Sequence, residues 1–282
     1  MRVDGLRLHV EAAGSLEAGR PAVLLLHGFT GSTRTWWLHL GRLAQARGAA
    51  LAVDLVGHGQ TEAPRTPSRY TFSSVVADLL GLLDALELPI VDLVGYSMGG
   101  RIAMHVALAA PSRVRALVLE SASPGIEDAD ERARRRAHDE ALADLLEREG
   151  IEAFVRVWEA QPLFASQARL DPAMREAIRR ERLAQRPHGL ALALRGMGAG
   201  VQAPLWQVLR GLTLPVLVMA GSDDPRYCEI ARRLGATLPD ARVVIVDDAG
   251  HAVHLERPEA FGSAVVAFLA EVDGRPPTSP GR

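Results

Sequence analysis

Short apolar runs recur along the first 121 residues, each followed by a stretch with helical spacing. Ala22–Leu26, Leu51–Val56, Pro89–Val94 and Val114–Leu119 have the length and largely apolar, β-branched character of buried strands, with one charged residue each in the last three. Between them lie helix-forming segments such as Arg101–Ala110, which is Ala-rich and stops at Pro111. This alternation predicts βαβ units and a mainly parallel sheet with helices on both faces. From about residue 122 to 202 the β-like runs cease. Three or four amphipathic, Arg/Glu-rich helical stretches replace them, among them Asp130–Glu149 and Ile151–Ala160. The alternation resumes with Leu214–Ala220 and Arg242–Val246 and closes in a helix over Pro258–Val272. Arg2–Val10 alternates about Asp4-Gly5, as an edge hairpin does. Gly274–Arg282 is Pro/Gly-rich and is expected to fray.

The pattern divides the chain into a core, residues 1–121 and 203–282, and an all-helical cap, residues 122–202, inserted after the sixth strand. Its most specific feature is Gly95-Tyr96-Ser97-Met98-Gly99, set between the strand ending at Val94 and the helix from Arg101. Strand, G-x-S-x-G, helix is the context of a nucleophile elbow, in which a sharp turn lifts the serine hydroxyl clear of the sheet. The fold class is therefore that of an α/β-hydrolase, with the cap over Ser97.

A serine hydroxyl is inert until a histidine takes its proton, and the histidine needs an acid to fix its tautomer. In this fold the order is Ser, Asp or Glu, His. The strand at Leu214–Ala220 leads into Gly221-Ser222-Asp223-Asp224-Pro225, and that at Arg242–Val246 leads into Asp247-Asp248-Ala249-Gly250-His251. Both loops fall at strand C-termini, where open α/β sheets bind ligands. His251 is the expected base and Asp224 the expected acid. Asp223 is an alternative that spacing does not separate from it, and Glu120, after the strand at Val114–Leu119, is another. His254, three residues past His251, is a rival base. Asp247 and Asp248 read as turn residues.

The oxyanion hole is expected from the backbone amides of Phe29, in His27-Gly28-Phe29-Thr30, and of Met98. His27 reads as structural, and Asp54 and His58 as staples of the next glycine loop. Composition excludes other classes. Thirty-two arginines, with no lysine, nearly balance 34 acidic residues, and a net charge of −2 opposes nucleic-acid or polybasic membrane roles. No apolar run reaches the ~18 residues of a membrane span, and no leader is visible. The lone Cys228 excludes an internal disulfide and fits a reducing cytoplasm. The histidines show no metal-ligand spacing.

Several further segments carry a resemblance to a known family. They are His27-Gly28-Phe29-Thr30-Gly31-Ser32, Arg101 directly after the elbow, Glu131-Arg132 through Arg136, and Gly250-His251-Ala252-Val253-His254-Leu255-Glu256-Arg257-Pro258. The most specific is Trp158-Glu159-Ala160-Gln161-Pro162-Leu163-Phe164-Ala165-Ser166-Gln167, in the cap. From about residue 21 to 270 the chain resembles the 2-succinyl-6-hydroxy-2,4-cyclohexadiene-1-carboxylate synthases of menaquinone biosynthesis. The acid loop departs locally: Gly221-Ser222-Asp223-Asp224-Pro225-Arg226-Tyr227 stands for G-E-x-D-x-K-F, with the aligned acid Asp224 intact.

The resemblance implies a lyase that eliminates pyruvate from 2-succinyl-5-enolpyruvyl-6-hydroxy-3-cyclohexene-1-carboxylate, with Ser97 as base and no cofactor or metal. A substrate with three carboxylates needs planar cationic forks. Arg101 is one helical turn after Ser97, and Arg135 and Arg182 match the family's basic cap positions. Trp158, Phe164 and Tyr96 join them as candidate pocket residues. Arg132, Arg135 and Arg136 share a helix face, where Arg136 with Glu140 reads as an ordinary surface pair. The triad alone also allows an esterase or C–C bond hydrolase with Ser97 as nucleophile. A non-catalytic ligand receptor would have little need for serine, acid and base together.

Overall fold

The computed structural model describes residues 1–16 and 19–274. The end expected to fray lies, from residue 275 onward, outside the described residues. Residues 2–7 form a small hairpin, β1 (Arg2–Val3) and β2 (Leu6–Arg7), turned by Asp4 and Gly5 at φ 43° and 76°. These left-handed values are the ones a two-residue turn requires. Seven further strands make one sheet: β3 (Val10–Gly14), β4 (Ala22–Leu26), β5 (Ala49–Val53), β6 (Val91–Tyr96), β7 (Val114–Glu120), β8 (Val216–Gly221) and β9 (Ala241–Val246). Their spatial order is β3-β5-β4-β6-β7-β8-β9, parallel throughout except for β3 against β5. The insertion follows Val114–Glu120 as expected, but that strand is the seventh in the chain and not the sixth. Val10, read as the end of the Arg2–Val10 hairpin, instead opens a strand of its own, Val10–Gly14, on the sheet edge.

Successive strand residues feed opposite cores. Leu24, Leu26, Leu93 and Leu117 face α2 (Phe72–Ala85), α3 (Met98–Ala109) and α7 (Pro225–Thr237) on one side. Val23, Leu25, Val94 and Val118 face α1 (Leu40–Arg47) and α9 (Pro258–Asp273) on the other. This double burial explains why the central strands read as mainly apolar runs and not as alternating ones. A single turn, α8 (Val253–Glu256), precedes α9.

Between β7 and β8 the chain makes no strand. It forms α4 (Ala129–Glu159), a 3-10 turn at Pro162–Arg169, α5 (Pro172–Leu183) and α6 (Pro187–Met197). Asp128 caps α4, accepting the Glu131 amide at 2.7 Å, and proline opens both α5 and α6, where its missing N–H costs nothing. Gly150, at φ 80° and ψ −174°, is not helical, so α4 consists of two helices that meet there, as the sequence reading has them. Leu142, Phe154, Trp158 and Leu190 form the insertion's own core, and Phe29 of the sheet domain packs against it. The expected pair of Arg136 with Glu140 is not formed. Glu140 accepts from Arg195 instead, because α6 packs along α4 and brings in a cation that helical spacing does not reveal.

Candidate active site

Ser97 sits at the junction of β6 and α3 with φ 50° and ψ −108°, a strained position for a side chain. The turn closes only because its neighbours lack Cβ atoms. One added at Gly99 would lie 2.2 Å from the Leu26 carbonyl oxygen. Met98 opens α3, so its amide belongs to the first turn that a helix leaves without internal partners.

His251 Nε2 lies 3.0 Å from Ser97 Oγ and Nδ1 lies 2.8 Å from Asp224 Oδ2. A carboxylate only accepts, so Nδ1 carries the proton and Nε2 is left to accept from the serine. Asp224 also caps α7, its Oδ1 accepting the Tyr227 amide at 3.2 Å, which fixes the plane of the carboxylate. Asp223 turns outward and pairs with Arg169. Glu120 serves the other histidine: it accepts the His254 amide at 3.0 Å and its Nδ1 at 2.9 Å, both side chains fully buried. One residue of spacing thus separates the two acids, and one turn of α8 separates the two histidines.

The loop after β4 is held from below. His27 Nε2 accepts the Leu55 amide at 3.0 Å, so Nδ1 donates to the Gly28 carbonyl at 2.7 Å. Asp54 accepts the amides of Thr33 and Gln60 at 2.5 and 2.7 Å, and His58 packs against His27. Burial pushes the His58 pKa down to about 3. These side chains hold Phe29 at the edge of a cavity of about 750 Å³ that Ser97, Met98 and His251 also line.

Four cap residues and two from β6 and α3 supply the other wall. Tyr96, Arg101, Arg135, Trp158, Phe164 and Arg182 all face the same cavity. Their charges are not equivalent. Arg182 is already neutralised, donating to Glu159 at 3.1 Å and to Gln167 at 3.2 Å while lying 5.0 Å over the Phe164 ring. Arg135 pairs with Asp139 at 2.8 Å and stays partly exposed. Arg101 is buried, donates to the Met197 carbonyl at 2.6 Å, and has no carboxylate within 4.0 Å among the described residues. Burial lowers its pKa to about 10, which still leaves it cationic at neutral pH.

Three contributors were not singled out from the sequence. Tyr227 stacks edge-on to His251 at 4.6 Å and faces the cavity. Burial raises its hydroxyl pKa, and the charges of Arg135 and Arg101 pull it back. Gln202, fully buried, backs Arg101 at 3.4 Å. Glu181 of α5 accepts the Ser32 hydroxyl at 2.6 Å and places an extra carboxyl at the cavity, its pKa raised by burial. Glutamate in an Arg/Glu-rich helix carries no signal of such a role. Among the described residues no group of three His, Cys, Asp or Glu side chains is placed to hold a metal ion.

Fold and site define a capped serine α/β-hydrolase scaffold. Residues 21–258 match the alpha/beta hydrolase fold family, and the chain belongs to it. Within it, the chain belongs to the 2-succinyl-6-hydroxy-2,4-cyclohexadiene-1-carboxylate synthases. A synthase of that name from Serratia proteamaculans is 34% identical over 90% of this chain and 94% of its own length. A Bacillus subtilis protein, provisionally given the same name, is 43% identical over 95% of this chain and 97% of its own. The solved structure of MenH from S. aureus superposes with a TM-score of 0.88 at 32% identity, over 94% of this chain and 99% of that one. An enol-lactonase from Burkholderia xenovorans follows at 0.82 and 26%, over 95% and 98%.

Proposed function

We propose that this protein eliminates pyruvate from 2-succinyl-5-enolpyruvyl-6-hydroxy-3-cyclohexene-1-carboxylate, as the name its relatives carry implies. His251, held by Asp224, takes the Ser97 proton, and the serine oxygen removes the ring proton beside the succinyl ketone. That C–H pair becomes the C2–C3 double bond, the 3-ene shifts to C4–C5, and the C5–O bond to enolpyruvate breaks. The leaving oxygen takes the proton from His251 and the enol becomes pyruvate, so Ser97 is restored without an acyl-enzyme. The enolate oxygen that develops at the ketone rests on the Phe29 and Met98 amides, where preorganised donors act most strongly.

The observation that carries this reading is Arg101: a buried cation facing the cavity one turn beyond Ser97, without a carboxylate partner among the described residues. An unpaired buried charge is costly and calls for an anion from outside. Arg135 and Arg182 are assigned to the remaining carboxylates, with Trp158, Phe164 and Tyr96 against the ring. We place the reaction in the cytoplasm, in keeping with the lone, buried Cys228. The test is to mix protein with the enolpyruvyl substrate and follow pyruvate. Brisk ester hydrolysis with no pyruvate would instead support the second reading, an ester or lactone hydrolase with Ser97 as nucleophile. The likeness to the enol-lactonase favours that alternative.

A further inference from the structure

The turn that follows His251 returns a carboxylate onto the histidine's own backbone. Glu256 Oε2 accepts the Gly250 amide at 2.9 Å and Oε1 accepts the Ala252 amide at 3.4 Å. The amides of the two residues on either side of His251 therefore hang on one buried side chain. A third donor comes from the cap. Ser166, in the Pro162–Arg169 turn, gives its hydroxyl to Glu256 Oε1 at 3.0 Å. It presses so close that a Cβ on Gly250 would fall 2.0 Å from Ser166 Oγ. The same turn carries Phe164, which faces the cavity 6.4 Å edge-on from His251, and Arg169, which pairs with Asp223 and reaches the Asp248 carbonyl at 3.3 Å.

We propose that Glu256 is a positioning residue for His251, and that Ser166 makes this positioning depend on the cap. The imidazole has to meet Ser97 and Asp224 at once, at 3.0 and 2.8 Å. Its ring projects from the loop after β9, which holds Asp248 in the left-handed region, φ 54°, and places Gly250 directly before the histidine, so backbone stiffness alone does not fix it. Three donors on one carboxylate do, since hydrogen bonds to a charged acceptor are the stronger kind. When the Pro162–Arg169 turn is seated, Glu256 is held from the cap as well as from the loop. The base is then fully aligned only over an enclosed cavity, which protects a reactive serine oxygen from water. The inference rests on the triad assigned above and not on the identity of the substrate.

The experiment uses Ser166→Ala and Glu256→Gln, singly and together, with thermal melts to confirm folding. Glutamine keeps the shape of Glu256 but turns an NH2 group toward one of the donors. Two readouts are taken: kcat and KM for pyruvate release, and the rate at which a fluorophosphonate captures Ser97, which depends on His251 but on no natural substrate. Misplacement of a catalytic group by about 1 Å costs up to ~10²-fold, so a loosened loop is expected to lower kcat and capture rate together by ~10-fold, with KM within about twofold. The double variant should lose less than twofold beyond the worse single, because both act through one path. Slowed capture in the variants, with no pyruvate from wild type, leaves the positioning role standing and removes the lyase reading. Wild-type kcat and capture rate in both variants overturn the proposal, as does a drop in Tm alone with full activity per folded molecule. A wild-type protein that neither reacts with the probe nor releases pyruvate overturns the triad and this proposal together.

Discussion

Arg101 donates to the carbonyl oxygen of Met197 at 2.6 Å, and so bonds α3 of the sheet domain to the last residue of α6 in the cap while its charge stays unmatched. Its remaining N–H groups are left for a ligand. Arg101→Ala is expected to lower kcat/KM for the enolpyruvyl substrate by on the order of 2–5 kcal/mol, roughly 30-fold or more, because a desolvated carboxylate loses its partner. Arg101→Lys should recover only part, since an ammonium cannot serve Met197 and a carboxylate as a fork does. Steady-state pyruvate release checks both. Wild-type turnover in Arg101→Ala would show that the substrate anion is held elsewhere.

The triad variants should behave as one unit. Ser97→Ala and His251→Ala are each expected to lower kcat by ~10³-fold or more, and the double variant little further. Asp223→Asn should leave kcat within a few-fold, because Asp223 faces Arg169 and not His251. Asp224→Asn should cost far more, since an amide can present its NH2 to Nδ1 and hold the wrong tautomer. Equal effects of the two asparagine variants would reject the assignment of Asp224.

Stability should answer to a charge cluster at the opposite end of β6. Asp92 is fully buried and accepts from Arg115 at 2.8 and 2.7 Å, with Arg47 at 3.4 Å. Asp273 closes the cluster from α9, bonded to both arginines. Asp92→Ala leaves Arg47 buried beside Asp273 alone and is expected to cost about 3–5 kcal/mol in a denaturant melt. The kcat of the folded variant should not change. A cost below 1 kcal/mol would mean that Asp273 suffices.

Acid should destabilise the fold before any carboxylate titrates in the ordinary range. Burial pushes His39 and His105 down to about 4 and His58 to about 3. An unfolded chain protonates each near pH 6.5, so below that pH the unfolded state binds more protons and stability falls as pH drops toward about 4. Asp78, pushed up to about 6 by burial, acts in the opposite sense, since it takes a proton more readily when folded. His27, also pushed down by burial, joins the three histidines, and Asp92 and Glu181, also pushed up, join Asp78. Four histidines that an unfolded chain protonates near pH 6.5 thus oppose three carboxylates, and between pH 7 and 5 the histidines set the slope. His105→Gln, which removes one histidine from the balance, should shrink the loss of stability between pH 7 and 5 by on the order of 1 kcal/mol. Melts across that range test it, and an unchanged pH slope would refute it.

Much of this was legible because burial on both faces writes itself into the chain. The runs that became β4 and β8 are apolar at every position, those of β6 and β7 depart from this only at Asp92, Arg115 and Glu120, and the elbow announces itself by two glycines around a serine between such a run and a helix. β3 was hidden because V-E-A-A-G, half-exposed on the sheet edge, neither alternates nor stays apolar. Partner choice among thirty-two arginines was hidden too. Arg195 takes Glu140, Asp144 and Glu147 from a neighbouring helix, a pairing set by the packing of α6 on α4 and not by spacing along either. The division between Asp223 and Asp224 rests on which side chain caps α7, and neighbours look alike until the helix start is placed.

The break at Gly150 has a consequence for how such a protein diversifies. Arg135 lies on the limb of α4 before it and Trp158 on the limb after it, so the charge proposed to meet an anion and the ring proposed to meet an apolar surface are carried by separately aimed rods. Open space surrounds the position a Cβ would take there, and only the positive φ resists a side chain. A substitution at the Arg135 side chain alters charge at the cavity wall and one at Trp158 alters its shape, while Leu142 and Phe154 keep the two limbs packed in one core. A lineage built on this plan can adopt a new ligand one property at a time.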